Sequence, residues 1–112
     1  MDTILRIQQG ETWAREIAWN DNDGAAVNLA GATAVMQLRE RYSSSAVTIE
    51  LSSANGRIAI DPAGKITLKL SAELTSALSA KMGVYDLEVR FPNGSVTKIL
   101  RGRYLVSPQV TR

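Results

Sequence analysis

Tyr85-Asp86-Leu87-Glu88-Val89-Arg90-Phe91-Pro92-Asn93-Gly94-Ser95-Val96-Thr97-Lys98-Ile99-Leu100-Arg101-Gly102 is the stretch on which the fold turns. Apolar and polar residues alternate on both sides of Asn93-Gly94, a dipeptide that accepts the positive φ angles of a two-residue hairpin turn. Folding the chain there sets Phe91 opposite Val96, Leu87 opposite Leu100 and Tyr85 opposite Gly102 on one face. Asp86 then lies opposite Arg101, and Arg90 opposite Thr97, on the other. A single register yields an apolar face with an aromatic over a strand glycine and a polar face with an ion pair. Lys98 is the misfit, opposite Val89 on the apolar face. It must either extend its ammonium past the edge of the core or be displaced by a bulge near Lys98-Ile99.

Outward from this hairpin, period-two alternation continues, interrupted about every eight to twelve residues by Gly, Asn, Asp or Pro. Strands are expected at 4–8, closed by Gly10, and at 12–19, where Trp13, Arg15, Ile17 and Trp19 share a face. Asn20-Asp21-Asn22-Asp23-Gly24 is a turn of Asx type, and Leu29 anchors the irregular connection that follows. A third strand covers 33–41. Val47, Ile49 and Leu51 alternate with polar residues, and Asn55-Gly56 predicts a hairpin joining them to Ile58-Ala59-Ile60. After the turn at Asp61-Pro62-Ala63-Gly64, residues 65–70 form a sixth strand. Ser71 as N-cap, Leu74 and Leu78 spaced i,i+4 and Gly83 as a stop predict a short helix over 72–80. The expected fold class is all-β: an antiparallel β-sandwich, one domain over 1–112 with a short tail at 107–112.

Composition narrows the chemistry. The 112 residues include neither cysteine nor histidine, which excludes disulfide scaffolds, thiol and imidazole catalysis and zinc sites of the usual kind. No cofactor is expected. Thirteen Lys+Arg against eleven Asp+Glu give a net charge of +2, with no basic run to follow a phosphate backbone, so nucleic acid is not an expected partner. The first half of the chain is net acidic and the second net basic, a distribution that suits head-to-tail association of copies and equally an ordinary solvated surface. Residues 1–6 lack the pattern of a secretory signal, and no apolar stretch approaches the ~20 residues of a membrane span. Synthesis in the cytoplasm and no membrane insertion are the expectation.

Several short motifs invite a chemical reading and fail on spacing. Asp21-x-Asp23-Gly24 matches the centre of a calcium loop, but Trp19 and Ala30 occupy the places of its first and last ligands. Ser95-Val96-Thr97-Lys98 spells S-x-x-K, yet strand residues three apart project to opposite faces, and the companion motifs are missing. Asn93-Gly94-Ser95 fits a glycosylation acceptor but is needed as a turn. Asp86 and Glu88 have the spacing of paired catalytic carboxylates, but beside Arg90 and Arg101 they read as solvated ion pairs. Trp13 and Trp19 suit a sandwich core better than an exposed sugar platform. Tyr42, followed by Ser43-Ser44-Ser45, belongs to a loop and is expected to be exposed. The tail Val106-Ser107-Pro108-Gln109-Val110-Thr111-Arg112 leaves the final strand at a proline and either frays or docks on a neighbour.

Taken in order, Gln9-Gly10-Glu11-Thr12 before a strand ending in Trp19, Asp21-Asn22-Asp23-Gly24, Val27-Asn28-Leu29-Ala30-Gly31-Ala32-Thr33-Ala34 and Met36-Gln37-Leu38-Arg39 form a recognisable series. It continues through Gly64-Lys65-Ile66-Thr67-Leu68, Tyr85-Asp86-Leu87-Glu88-Val89, Pro92-Asn93-Gly94-Ser95-Val96-Thr97 and Leu100-Arg101-Gly102 to the tail. This order resembles small bacteriophage and prophage structural proteins, in particular the N-terminal domain of the phage baseplate upper protein. The resemblance implies a roughly immunoglobulin-like sandwich, non-catalytic and built into the tail, baseplate or neck of a virion, where it connects fibres or spikes to the particle. Baseplate upper proteins continue into a long C-terminal part that holds the receptor-binding protein, whereas this sequence stops at Arg112, which also suits a small free-standing adaptor. The partners implied are other phage structural proteins and copies of the same chain.

Two other function classes fit the residues. One is a carbohydrate- or surface-binding sandwich with Trp13, Trp19 or Tyr42 exposed on a concave patch. The other is a small hydrolase using carboxylates, which requires an acidic pair inside a pocket. For the protein-binding role, the candidate interface residues are Tyr42, Arg101, Arg103, Val110 and Arg112.

Overall fold

A period of two only fixes which side chains share a face; the order and direction of strands come from turns and burial. The computed structural model, which describes residues 3–111, arranges β1 (Leu5–Gln8), β2 (Trp13–Ala18), β3 (Thr33–Arg39), β4 (Ile49–Ser52), β5 (Ile58–Asp61), β6 (Lys65–Leu70), α1 (Ala72–Ser76), β7 (Met82–Arg90) and β8 (Val96–Ser107) in chain order. They form a five-stranded sheet, β1-β8-β7-β3-β4, and a three-stranded sheet, β2-β6-β5. The all-β sandwich expected from alternation is the architecture found. Its core is filled from both sheets, by Leu5, Ile7, Met36, Leu38, Leu51, Leu87, Val89 and Tyr104 on one side and Ile58, Ile66, Leu68 and Leu70 on the other. Trp13, Ile17, Trp19 and Phe91 pack half-buried against it. Among the described residues, no helix is long and apolar enough to cross a membrane.

One pairing departs from the antiparallel expectation. β1 runs parallel to β8, Leu5 beside Tyr104 and Gln8 beside Ser107, so the larger sheet is mixed. Alternation is blind to strand direction. β1 and β8 stand at opposite ends of the sequence, so no tight turn constrains their sense.

The β7–β8 hairpin forms with a different turn from the one predicted. Phe91 N donates to Ser95 O at 2.9 Å and Gly94 N to Phe91 O at 3.0 Å, so the loop is Pro92-Asn93-Gly94, with Gly94 at φ 91°. That extra loop residue slips the pairs nearest the turn by one: Arg90 faces Val96, Val89 faces Thr97 and Glu88 faces Lys98. A bulge at Leu87/Glu88, with Ile99 as the extra residue, restores the predicted pairs Leu87 with Leu100, Asp86 with Arg101 and Tyr85 with Gly102. Lys98 is thereby moved off the apolar face, one of the two resolutions its placement required.

Gly102 is a glycine because backbone passes over it. A Cβ there would stand 2.4 Å from Thr3 O, the same carbonyl that accepts the Tyr85 hydroxyl at 2.8 Å. Gly83 lies inside β7 instead of ending the helix, because the Tyr104 ring covers it and a Cβ would come within 2.4 Å of that ring. The helix itself is shorter than the 72–80 expected. Ser71 caps it by accepting from Leu74 N at 3.2 Å, and buried Thr75 donates to Glu11 O at 2.9 Å, which fixes α1 to the turn between β1 and β2. Leu78 is buried just past its end.

Asn55-Gly56 does not make the expected hairpin. β4 pairs with β3 and β5 with β6, so the segment between them crosses from one sheet to the other. The Asn55 side chain accepts from Ser52 N at 2.9 Å and Arg57 N at 3.1 Å and donates to Glu50 O at 3.0 Å, closing the crossover as a side-chain-bonded turn. Placing the two strands in opposed sheets lets Leu51 and Ile58 face the same core from either side.

Candidate interaction surface

The loop after β3 is drawn onto the outer face of the five-stranded sheet by Arg39, which donates to Ser44 O at 2.7 Å and Gln37 Oε1 at 2.8 Å. Ser44 closes the turn by donating from its N–H to Arg41 O at 3.1 Å and accepting from Arg41 N at 3.1 Å. Within this turn Tyr42 is held 77% exposed, leaning over the sheet. It lines one hollow with Arg41, Met82, Val84 and Arg103, and a second with Thr3, Ile4 and Arg103. Ile4 and Met82 are themselves 54% and 51% exposed. Arg101 is on the same face of β8, two residues before Arg103.

Of the five predicted interface residues, the structure brings together Tyr42 and Arg103, while Arg101 shares the face of β8 but lines neither hollow. Val110 is exposed but stands past the end of β8, and Arg112 lies outside the described residues. The foot of the tail is docked on its own chain, with Gln109 N donating to Gln9 Oε1 at 3.1 Å and Gln8 Nε2 donating to Pro108 O at 3.2 Å. Ile4, Met82, Val84 and Arg41 escaped the sequence reading. A signal for two of them existed: Met82-Gly83-Val84-Tyr85 is apolar at successive positions, which puts apolar side chains on both faces of β7.

Charge on this face is uneven. Lys81 pairs with Glu40 and, by hydrogen bond and charge, holds that carboxyl below its usual range. Arg41 adds its charge to the lowering of Glu40 without a direct ion pair, and Arg103 has no ion pair among the described residues. The tyrosine, methionine and arginines of this cluster are residue types enriched at protein interfaces, and tyrosine and arginine are those enriched at the anchor positions within them.

The other motifs resolve as structure. Asp86 and Glu88 project from β7 into a hollow of about 170 Å³ lined also by Val35, Gln37 and Arg90, where Lys98 Nζ stands 3.3 Å from a carboxylate oxygen of each and Arg90 reaches Glu88 at 2.6 Å. Hydrogen bonding from Arg90, opposed by partial burial and reinforced by Lys98, holds the Glu88 carboxyl below its ordinary value, the wrong direction for a general acid. Burial alone would pull Lys98 down, but the two carboxylates outweigh it and raise its pKa. Ser95 Oγ bonds Asn93 Oδ1 at 2.8 Å, while Lys98 turns to the carboxylates, so the S-x-x-K pair is not assembled. Asp21 Oδ1 accepts from Asp23 N at 2.9 Å and Ala25 N at 3.0 Å, a turn and not a cation loop. Trp13 donates its indole N–H to Arg6 O at 3.0 Å, and Trp19 packs on Phe91 with ring centroids 5.9 Å apart.

No family model matches this sequence, and no curated protein matches it either. Among solved structures, it is similar to the N-terminal domain of phage TP901-1 ORF48, with a TM-score of 0.57 and 15% identity over 94% of this chain and 85% of that one. At that identity the likeness is one of fold.

Proposed function

We propose that this chain is a non-catalytic structural module of a phage virion, in the tail, baseplate or neck, joined to neighbouring virion proteins through the outer face of its five-stranded sheet around Tyr42. The observation that carries this reading is the gathering of Tyr42, Met82, Val84 and Arg103 into one exposed cluster on a rigid sheet. The fold shared with a domain of a phage protein over nearly the whole chain supports it, as does the ordered resemblance to the baseplate upper protein. We read the strand order as immunoglobulin-like, with the first strand moved across to lie parallel to the last.

Such a module works by repetition. A patch of this kind contributes modest affinity per copy, and symmetry in a ring or collar multiplies it into a stable attachment to fibres, spikes or further copies. A sugar platform would need exposed indole rings, whereas here Trp13 and Trp19 lean on the core and Tyr42 stands alone. A carboxylate hydrolase would need an acidic pair free to exchange protons, whereas Asp86 and Glu88 are held by cations.

The test is incorporation into particles. Virions assembled with the Tyr42→Ala, Arg103→Glu double variant should carry at least about tenfold less of this protein than wild type, since losing two anchor residues costs more than 1.4 kcal/mol. The variant chain should keep its monomer stability, both side chains being exposed. Undiminished incorporation would remove this face as the attachment surface.

A further inference from the structure

β2 ends the three-stranded sheet on one side, and its hydrogen-bonding phase follows from its neighbours. Trp19 N donates to Gly64 O at 2.8 Å on the β6 side, and Lys69 of β6 faces β5 through its bond to Arg57 O at 2.9 Å. The pairs Trp13–Leu70, Arg15–Leu68 and Ile17–Ile66 are therefore the hydrogen-bonded ones. Ala14, Glu16 and Ala18 turn both N–H and C=O to the other side, where no strand of the described chain lies. Six pairs run in register without a bulge or proline, and two of the three outward side chains are alanine; the charges on this edge are Glu16, facing outward, and Arg15, facing inward.

Beside this edge is a cleft of about 450 Å³ lined by Arg15 and Ile17 of β2, by Trp19 just after it, and by Thr97, Ile99 and Leu100 of β8. It exists because β1 covers β8 only from Tyr104 to Ser107, leaving the first half of β8 without that neighbour. The walls are mainly apolar. The charged residues at the cleft are Arg15, Glu16 and Lys98; Lys98 is held by Asp86 and Glu88, whereas Arg15, on the inward face of the strand, has no ion pair among the described residues.

We propose that β2 is a strand acceptor: an extended segment of a partner protein pairs antiparallel with Ala14–Glu16–Ala18 and sends alternate side chains into the cleft. Charge and shape define the occupant as a strand with apolar residues at every second position and a carboxylate at the one that meets Arg15. Main-chain bonds supply affinity and the cleft supplies selectivity. Self-pairing of two β2 edges centred on Arg15 or Glu16 would set like charges opposite each other, which disfavours a second copy as occupant. The site shares neither Tyr42 nor Arg103 with the face proposed above and does not depend on it.

The test uses the 112-residue chain and an acetylated seven-residue peptide that alternates threonine with valine and carries glutamate at one valine position, titrated to millimolar concentration. Binding should slow amide exchange at Ala14, Glu16 and Ala18 at least about tenfold, with little change in β5. Glu16→Pro removes an outward donor without touching the β6 ladder, so it should weaken the peptide about tenfold while the urea midpoint holds. Arg15→Gln should abolish the preference for the glutamate peptide over its glutamine counterpart, and this comparison serves alone if the proline variant does not fold. No slowing at millimolar peptide, or equal binding by both variants and both peptides, would overturn the proposal. Protection that appears without peptide and grows with protein concentration would show a second copy in the cleft and overturn the assignment of its occupant.

Discussion

Along one flank of the sandwich the two sheets end in neighbouring strands, β1 above and β2 below, and their free edges are treated differently. The outward carbonyls of β1 are occupied from within the chain: Arg6 O takes the Trp13 indole and Gln8 O takes Glu11 N at 3.3 Å. Among the described residues, the edge of β2 has no such cover. On this flank the five-stranded sheet thus occupies its outward carbonyls and offers side chains on its outer face, whereas the outward main chain of the three-stranded sheet has no partner among the described residues. One region suits recognition by anchors in hollows, the other recognition by backbone pairing.

The contrast should appear first in stability. Leu87 is fully buried at the centre of the larger sheet, so Leu87→Ala should cost about 2–5 kcal/mol in urea unfolding, well above Ile17→Ala at the half-buried edge of the smaller one. Equal costs would mean that the two sheets share the core evenly. Next, Gly102→Ala should cost about 1–3 kcal/mol, because its methyl must displace the backbone of Thr3. Faster amide exchange in β1 should accompany that loss, and an unchanged β1 would show that the edge is held elsewhere.

Trp13→Phe keeps most of the apolar ring and removes the donor to Arg6 O. It should cost about 1 kcal/mol in urea unfolding, and an unchanged midpoint would show that this bond does not hold the edge of β1. The smallest effect concerns acid. The Glu88 carboxyl is held below its usual range by Arg90 and Lys98, so its contribution is present above the unfolded pKa and is lost as pH falls through the lower folded value. Comparing Glu88→Gln with wild type by thermal melts should show a difference of at most about 1 kcal/mol at neutral pH, vanishing at the acid end.

Two Asn-Gly turns explain what was readable in advance. Asn93-Gly94 joins strands whose partners are each other, so local alternation was enough to predict a hairpin and its pairs Leu87 with Leu100, Asp86 with Arg101 and Tyr85 with Gly102, while the pairs nearest the turn are slipped by one. Asn55-Gly56 looks alike over the same window, yet its flanking strands each pair with a third strand remote in sequence. The deciding contacts are tertiary and leave no local period. The parallel seating of β1 on β8 was hidden for the same reason. Within the interface cluster, the loop composition around Tyr42 signalled exposure, while Ile4 joins only through the folding of the N-terminal strand against Arg103. The open edge of β2 could not be read at all, since a strand's position in its sheet is not written in its own residues.

Cross-linking of purified particles through lysine, read by mass spectrometry, addresses the central claim most directly. Lys81 sits beside Glu40 and Met82 at the rim of the Tyr42 cluster. Cross-links from Lys81 to a different virion protein or to a second copy of the chain are the predicted result. A chain absent from particles and monomeric in solution at every concentration would contradict it.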